Sequence, residues 1–190
     1  MDARPVAVYD ANVLYPAHLR DLLMRLAMND LVRPHWSEDI HDEWMRNVHA
    51  DHPDLTWEDL EYTRSEMEKA RPDACVEGYE DRIENLSLPD PDDRHVLAAA
   101  IEIGADYIVT FNLDDFPAAQ LDSHGIEAVD PDSFVCLLMD RDLKDVVEVA
   151  AEHRGSLRKP PLTVGEYLEV LRNGGLDVTA RQLEKHRDRL

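Results

Sequence analysis

The run VAVYD at residues 6–10 constrains this chain most, because four apolar or aromatic residues lead without interruption into a carboxylate. A β-branched apolar run of that length suits a strand buried on both faces, as in a parallel sheet. An aspartate at its end is poorly suited to burial, so Asp10 is expected at a strand terminus that faces a site. DYIVT at 106–110 repeats the pattern, and GIEAVD at 125–130 reads as a third short strand. Helical spacing fills the intervals. Pro16 precedes Leu19, Leu22, Leu23, Leu26 and Ala27 at helical intervals, and Ser37 can cap a helix carrying Ile40, Trp44 and Val48. Residues 55–70 read as a further amphipathic helix, and an Ala-rich helix after Asp90-Pro91 stops at Gly104. Strands separated by helices predict an α/β fold with a parallel sheet flanked by helices.

A long helix is expected over 131–153, then a Gly/Pro-bearing linker, GSLRKPPL, at 155–162. Two short helices, TVGEYLEVLRNGG and LDVTARQLEKHRDRL, complete a small helical appendage. The expected division is 1–140 for the main domain and 141–190 for the helical extension. On the final helix Arg181, Lys185 and Arg189 recur at i, i+4 and i+8, which would align them as a positive strip.

In an open parallel sheet, sites form beyond the carboxyl ends of the strands. Asp10 and the Asp114/Asp115 pair fall there, and Glu43 on a helix with Asp90, Asp92 and Asp93 at a helix start can complete a ring. Carboxylate oxygens are the hard ligands that Mg²⁺ or Mn²⁺ prefers. Each position also has an ordinary explanation. Asp90 suits an N-cap with Pro91 at the first helical position, and Asp92 and Asp93 then lie in the favourable first turn. Asp114 and Asp115 suit a turn before Phe116-Pro117, and Glu43 suits a solvated helix face.

VYDANVLYPAHLRDLLMRLA, then WSEDIHDEW, then LSLPDPDDRHVLAAAIEIGADYIVTFNLDDFP together resemble the ordered blocks of PIN-domain ribonucleases, in particular the VapC toxin branch. The resemblance spans about residues 5–135, and a VapC subgroup with an extra C-terminal domain is similar in layout to residues 155–190. It implies a PIN-like sheet and a metal-dependent endoribonuclease acting on tRNA or ribosomal RNA, with a cognate antitoxin as partner. By position the family's acids fall on Asp10, Glu43, Asp93 and Asp115, as catalytic residues and as ligands of Mg²⁺ or Mn²⁺. Asn12, Thr110 and Asn112 are implied polar neighbours. Asp90 and Asp92 compete with Asp93, and Asp114 with Asp115.

The chain carries 41 acidic and 20 basic residues, for a formal charge of −21. Residues 1–140 hold 32 acids and 10 bases, and 141–190 hold 9 and 10. Such a surface repels a phosphate backbone, which counts against nonspecific nucleic-acid binding; solubility, a salt-rich habitat and attraction of a basic partner protein are equally open as its reason. No apolar run approaches a membrane span or an export signal, so a cytoplasmic protein is expected, with Cys75 and Cys136 reduced. A homodimer stays open. His41 and His95, close to the acids, are candidate proton carriers. The absence of H-E-x-x-H, of a Walker loop and of G-x-S-x-G removes the main support for zinc protease, P-loop NTPase and α/β-hydrolase readings. A receiver-like signalling domain would need an acid pair after the first strand and a late lysine. This chain has Asp10 alone there, and no lysine between 70 and 143.

Overall fold

A computed structural model describes residues 4–158 and 160–190. Five strands, β1 (Val6–Tyr9), β2 (Arg33–Ser37), β3 (Cys75–Val76), β4 (Tyr107–Val109) and β5 (Glu127–Val129), form one parallel sheet in the order β3-β2-β1-β4-β5. The helices are α1 (Ala11–Leu14), α2 (Ala17–Met28), α3 (Glu38–Asp51), α4 (Trp57–Ala70), α5 (Glu80–Ile83), α6 (Arg94–Ile103), α7 (Ala118–Leu121), α8 (Pro131–Ser156), α9 (Val164–Asn173) and α10 (Asp177–Glu184). Among the described residues no helix is long and apolar enough to cross a membrane.

Local chemistry explains most boundaries. Ser37 caps α3 by accepting from the Ile40 amide, and Thr56 with Asp59, and Thr163 with Glu166, form capping boxes for α4 and α9. Gly104 closes α6 at φ +61°, a left-handed conformation that glycine adopts without a Cβ clash.

Two strands lie outside the three expected. β2 reads RPHWS, and its proline argues against a strand. The register removes the conflict. Arg33 donates its amide to Pro5 and Trp36 donates to Ala74, so amides alternate between the β1 side and the β3 side. Pro34 falls on the β3 side, two residues before β3 begins opposite Trp36, and its missing N–H therefore costs no ladder bond. β3 is two residues long, too short for any periodicity to show.

The expected long helix is α8, with non-helical geometry at Asp142 (φ −148°, ψ 78°). The Asp142 carboxylate accepts from the Asp145 amide at 3.1 Å, so it serves as an internal cap for a second helical stretch. The expected division at residue 140 falls within α8. Across it the packing is continuous: Tyr167, Leu168, Leu171, Leu176, Ala180 and Leu183 belong to the same apolar cluster as β1, α2 and α3. Asp132 near the start of α8 accepts from the Val178 and Thr179 amides at 2.7 and 2.8 Å, which caps α10 from a distance. Arg154 donates to the Leu190 and Leu162 carbonyls, tying down the chain end and the segment before α9.

The positive strip is not formed as expected. α10 ends at Glu184 and residues 185–189 continue in turns, with His186 bonded to Leu183 and Arg189 to His186. Without a continuing helix, Arg181, Lys185 and Arg189 do not share one helical face. Arg189 donates instead to the Lys144 carbonyl at 3.4 Å.

The Asp132 contacts are charge-assisted and buried, and such bonds contribute about 1.5–3 kcal/mol each. Asp132→Ala is expected to lower the thermal midpoint by several degrees and to raise protease sensitivity within 157–190. An unchanged melt with unchanged digestion would show that α10 does not depend on this cap.

Candidate active site

β1 runs outward to β2 on one side, and the chain later returns to place β4 on the other, so the strand order reverses between β1 and β4. Crevices at such reversals, beyond the strand carboxyl ends, are where open α/β sheets place ligands. Asp10 follows β1 there and Thr110 follows β4, joined by the bond from the Asp10 amide to the Val109 carbonyl at 3.1 Å.

The Asp10 carboxylate is 3% exposed and held at three points. Oδ1 accepts from the Ala11 amide at 2.7 Å, and Oδ2 accepts from Asn12 Nδ2 and Thr110 Oγ1, both at 2.7 Å. Asn12 Nδ2 also donates to Thr110 Oγ1 at 3.0 Å, and the Asn112 amide donates to the same hydroxyl at 3.0 Å. Asn12 Oδ1 accepts from the Phe111 amide at 3.1 Å. The network orients the Thr110 proton toward Asp10 and leaves the Asn12 amide no freedom to flip, since its donors and its acceptor are all committed.

A cavity of about 690 Å³ is lined by Glu43, Asp93, Asp92, Asp90, Asn112 and His95, together with Asp39, Asp42, Arg46 and Asn47; Asp10 and Asp115 are not among its lining residues and are linked to it by their charges acting on Asp93. Burial raises the Asp10 pKa to about 6 against the pull of Thr110, and the Glu43 charge adds to the rise. Asp93 is pushed up to about 7, first by burial and then by the charges of Asp10, Asp115, Asp90 and Glu43. Three acids remote in sequence, Asp10, Glu43 and Asp115, and the neighbouring Asp90 are thus felt by one carboxyl. His95 Nε2 lies 3.4 Å from Glu43 Oε2. Burial works against its protonation, but the Glu43 contact and the Asp39 and Asp10 charges outweigh it, and its pKa is raised.

The competing positions separate by environment. Asp90 spends its side chain capping the turn at Pro91–Asp93, accepting from the Asp92 amide at 2.8 Å. Asp92 is exposed, whereas Asp93 is half-buried. Asp115 is half-buried and acts on Asp93; Asp114 is exposed. His41 is packed away from the cavity, fully buried, with Nδ1 accepting from Trp44 Nε1 at 2.9 Å and its pKa lowered by burial to about 4. That position does not suit a proton carrier at the acids.

Asp39, Asp42, Arg46 and Asn47 had not been singled out by sequence reasoning. The signal was present, because 39, 42, 43 and 46 follow i, i+3, i+4, i+7 and share a face of α3.

The PIN domain family profile matches residues 6–114, more than half of the chain, and a profile described as the VapC50 C-terminal domain matches residues 131–185. The chain belongs to the PIN-domain family. A Mycobacterium tuberculosis (strain ATCC 25618 / H37Rv) protein named "Putative ribonuclease VapC50" is similar to it, at 37% identity over 79 residues, covering 42% of this chain. The match spans 47% of that relative, about half its length. No solved structure matches.

A carboxyl with a raised pKa destabilises the folded protein while ionised. The cost is fully present above the folded value, about 7 for Asp93, and is lost as pH falls toward the unfolded value near 4. In metal-free protein, Asp93→Asn is therefore expected to raise the melting temperature at pH 8, with the gain shrinking between pH 7 and pH 4. Thermal melts of both proteins across that range check it, and a gain independent of pH would contradict carboxylate crowding.

Proposed function

We propose that this chain is a metal-dependent endoribonuclease, the toxin of a type II toxin–antitoxin pair, acting on tRNA or ribosomal RNA. The crowding of Asp10, Glu43, Asp90 and Asp115 around Asp93 at the sheet reversal carries the reading, and family membership supports it. Among the described residues no group of three or more His, Cys, Asp or Glu is already arranged to hold a metal ion. Glu43, Asp90, Asp92 and Asp93 instead line an open cavity, Asp10 and Asp115 act on Asp93 by their charge, and carboxylate oxygens are the donor type that hard cations take. Burial first, and neighbouring acids second, raise the proton affinity of Asp10 and Asp93, and the all-carboxylate donor set is of the kind that suits Mg²⁺ or Mn²⁺.

Asp10, Glu43, Asp93 and Asp115 would hold the ion. When bound, a divalent ion lowers the pKa of water and offsets charge on a leaving oxygen during phosphodiester hydrolysis. The protein's own contribution is positioning. Thr110 and Asn12 prevent Asp10 from rotating, and His95 holds Glu43 at the cavity wall. Asn12 orients and does not exchange a proton, because an amide does not titrate near neutral pH. Asn112, exposed at the rim, is placed to meet substrate. The acidic body repels RNA at long range, so a basic antitoxin segment that inserts a cation into the ring would compete directly with metal.

Asp10→Asn, Glu43→Gln, Asp93→Asn and Asp115→Asn should each reduce cleavage of total RNA by more than the ~10–100-fold that losing a supporting partner costs a metal site. Asp92→Asn and Asp114→Asn should cost less. Chelation should stop cutting, and Mg²⁺ or Mn²⁺ should restore it. Cutting at full rate in chelator would sink the proposal. Recovery of the chain from its native host without any inhibitory basic protein would move the reading to an RNA-maturation nuclease of the same chemistry.

A further inference from the structure

The clamp on Asp10 does not end at Asn12. The Asn12 carboxamide donates to Asp10 Oδ2 and Thr110 Oγ1, and the direction of those donors is set at the other end of the group, where Oδ1 accepts from the Phe111 amide at 3.1 Å. Without that bond the carboxamide would be free to turn over, which sets a carbonyl oxygen against a buried carboxylate. The direction of the Phe111 N–H therefore matters to the site.

Phe111 stands in the loop after β4 and is 41% exposed, so the core under the sheet does not fix its side chain. Its ring instead meets Gly175, between α9 and α10, where an added Cβ would lie 3.1 Å from Phe111 Cε1 and 3.6 Å from Cζ. Gly175 is itself firmly placed. Leu176 donates its amide to the Leu171 carbonyl and Gly175 donates to Arg172, both at 2.9 Å, which closes α9 with Gly175 in the left-handed conformation at φ +83°. Leu171 and Leu176 are buried in the common core, and Asp132 holds the first turn of α10 that follows. Glycine at 175 thus both permits the turn and leaves room for the ring.

We infer that Phe111 is a positioning residue: anchored on the Gly175 turn of the C-terminal segment, it keeps Asn12, and through it Asp10, in place for metal. This role rests on the ribonuclease reading and adds to it a dependence of the site on the C-terminal segment. Phe111 does not line the acid cavity, so its effect passes through its own amide. The two family profiles meet at this contact, since Phe111 lies within one and Gly175 within the other.

The test is a double-mutant cycle on the full chain, with Phe111→Ala, Gly175→Ala and both together. Three quantities are read: apparent kcat and KM from total RNA at graded concentrations, Mn²⁺ affinity by calorimetry, and melting temperature. Each single change should lower kcat and weaken Mn²⁺ binding by about tenfold, the scale of losing a supporting partner of a metal ligand, with KM unchanged. Backbone strain at Gly175→Ala should lower the melting temperature in either background. With the ring gone, however, the added Cβ has nothing to strike, so the losses of kcat and Mn²⁺ affinity should not add in the double variant. Additive losses, or wild-type kcat and Mn²⁺ affinity in Phe111→Ala, would show that the bond from the Asn112 amide to Thr110 Oγ1 holds the loop unaided, and would overturn the inference. A raised KM with kcat kept would assign the ring to substrate and overturn it as well. Val178→Ala, exposed on α10, should leave kcat and Mn²⁺ affinity at wild type; equal losses there would reduce the effect to a general loosening of the segment and count against Phe111. If wild type cuts no RNA in any metal while the Mn²⁺ losses appear as described, the nuclease reading fails and the positioning role stands.

Discussion

The burial of one carboxylate organises this protein. Asp10 ends the central strand at the point where the sheet reverses, and three hydrogen bonds hold it almost out of solvent without removing the cost of its charge. The donors come from both sides of the reversal, Asn12 after β1 and Thr110 after β4. Those bonds therefore do two things: they join the two halves of the sheet at its carboxyl edge, and they fix the residue around which the other acids gather. The charge of Asp10 is thus held at a cost to the fold that burial sets and the three hydrogen bonds reduce.

The C-terminal helices are bound into this arrangement. Asp132 caps α10 across a separation of more than forty residues, apolar side chains of α9 and α10 enter the common core, and Gly175 meets Phe111 one residue from Thr110. Dispensability of residues 155–190 for the chemistry would have followed from a loose appendage, since all four expected ligands precede residue 116. Contact with the site loop gives the segment a structural path to the mouth. Its cations do not form the expected strip, because the helix stops at Glu184 and turns redirect the side chains that follow.

Much of the fold was legible because it is encoded locally. VAVYD and DYIVT carry β-branched runs, Ser37 and Gly104 carry caps, and the alternation of elements is enough to specify a parallel sheet. β2 and β3 were hidden for different reasons. Pro34 disguises β2, and its tolerance depends on where β3 begins, a fact that no window of sequence around it contains. β3 is too short to have a pattern at all. At the site, Asp10, Glu43, Asp93 and Asp115 were the acids expected from block resemblance and strand-end placement, while Asp39, Asp42, Arg46 and Asn47, which line the cavity, were not named although their helical spacing was visible.

What the sequence determined by itself was the list of candidates: which elements form, which acids stand at strand ends or helix starts, and how strongly the first 140 residues are charged. It could not rank Asp90, Asp92 and Asp93, which lie within one turn and are chemically alike, or Asp114 and Asp115, which are adjacent. In the folded chain they differ in burial and in company. Asp90 caps a turn through one oxygen, Asp92 and Asp114 are exposed, and the proton affinity of Asp93 is raised by burial and then by the charges of Asp10, Asp115, Asp90 and Glu43. The physical reason is that desolvation and Coulomb repulsion depend on distance through space, and residues 10, 43, 93 and 115 become neighbours only when the sheet is assembled.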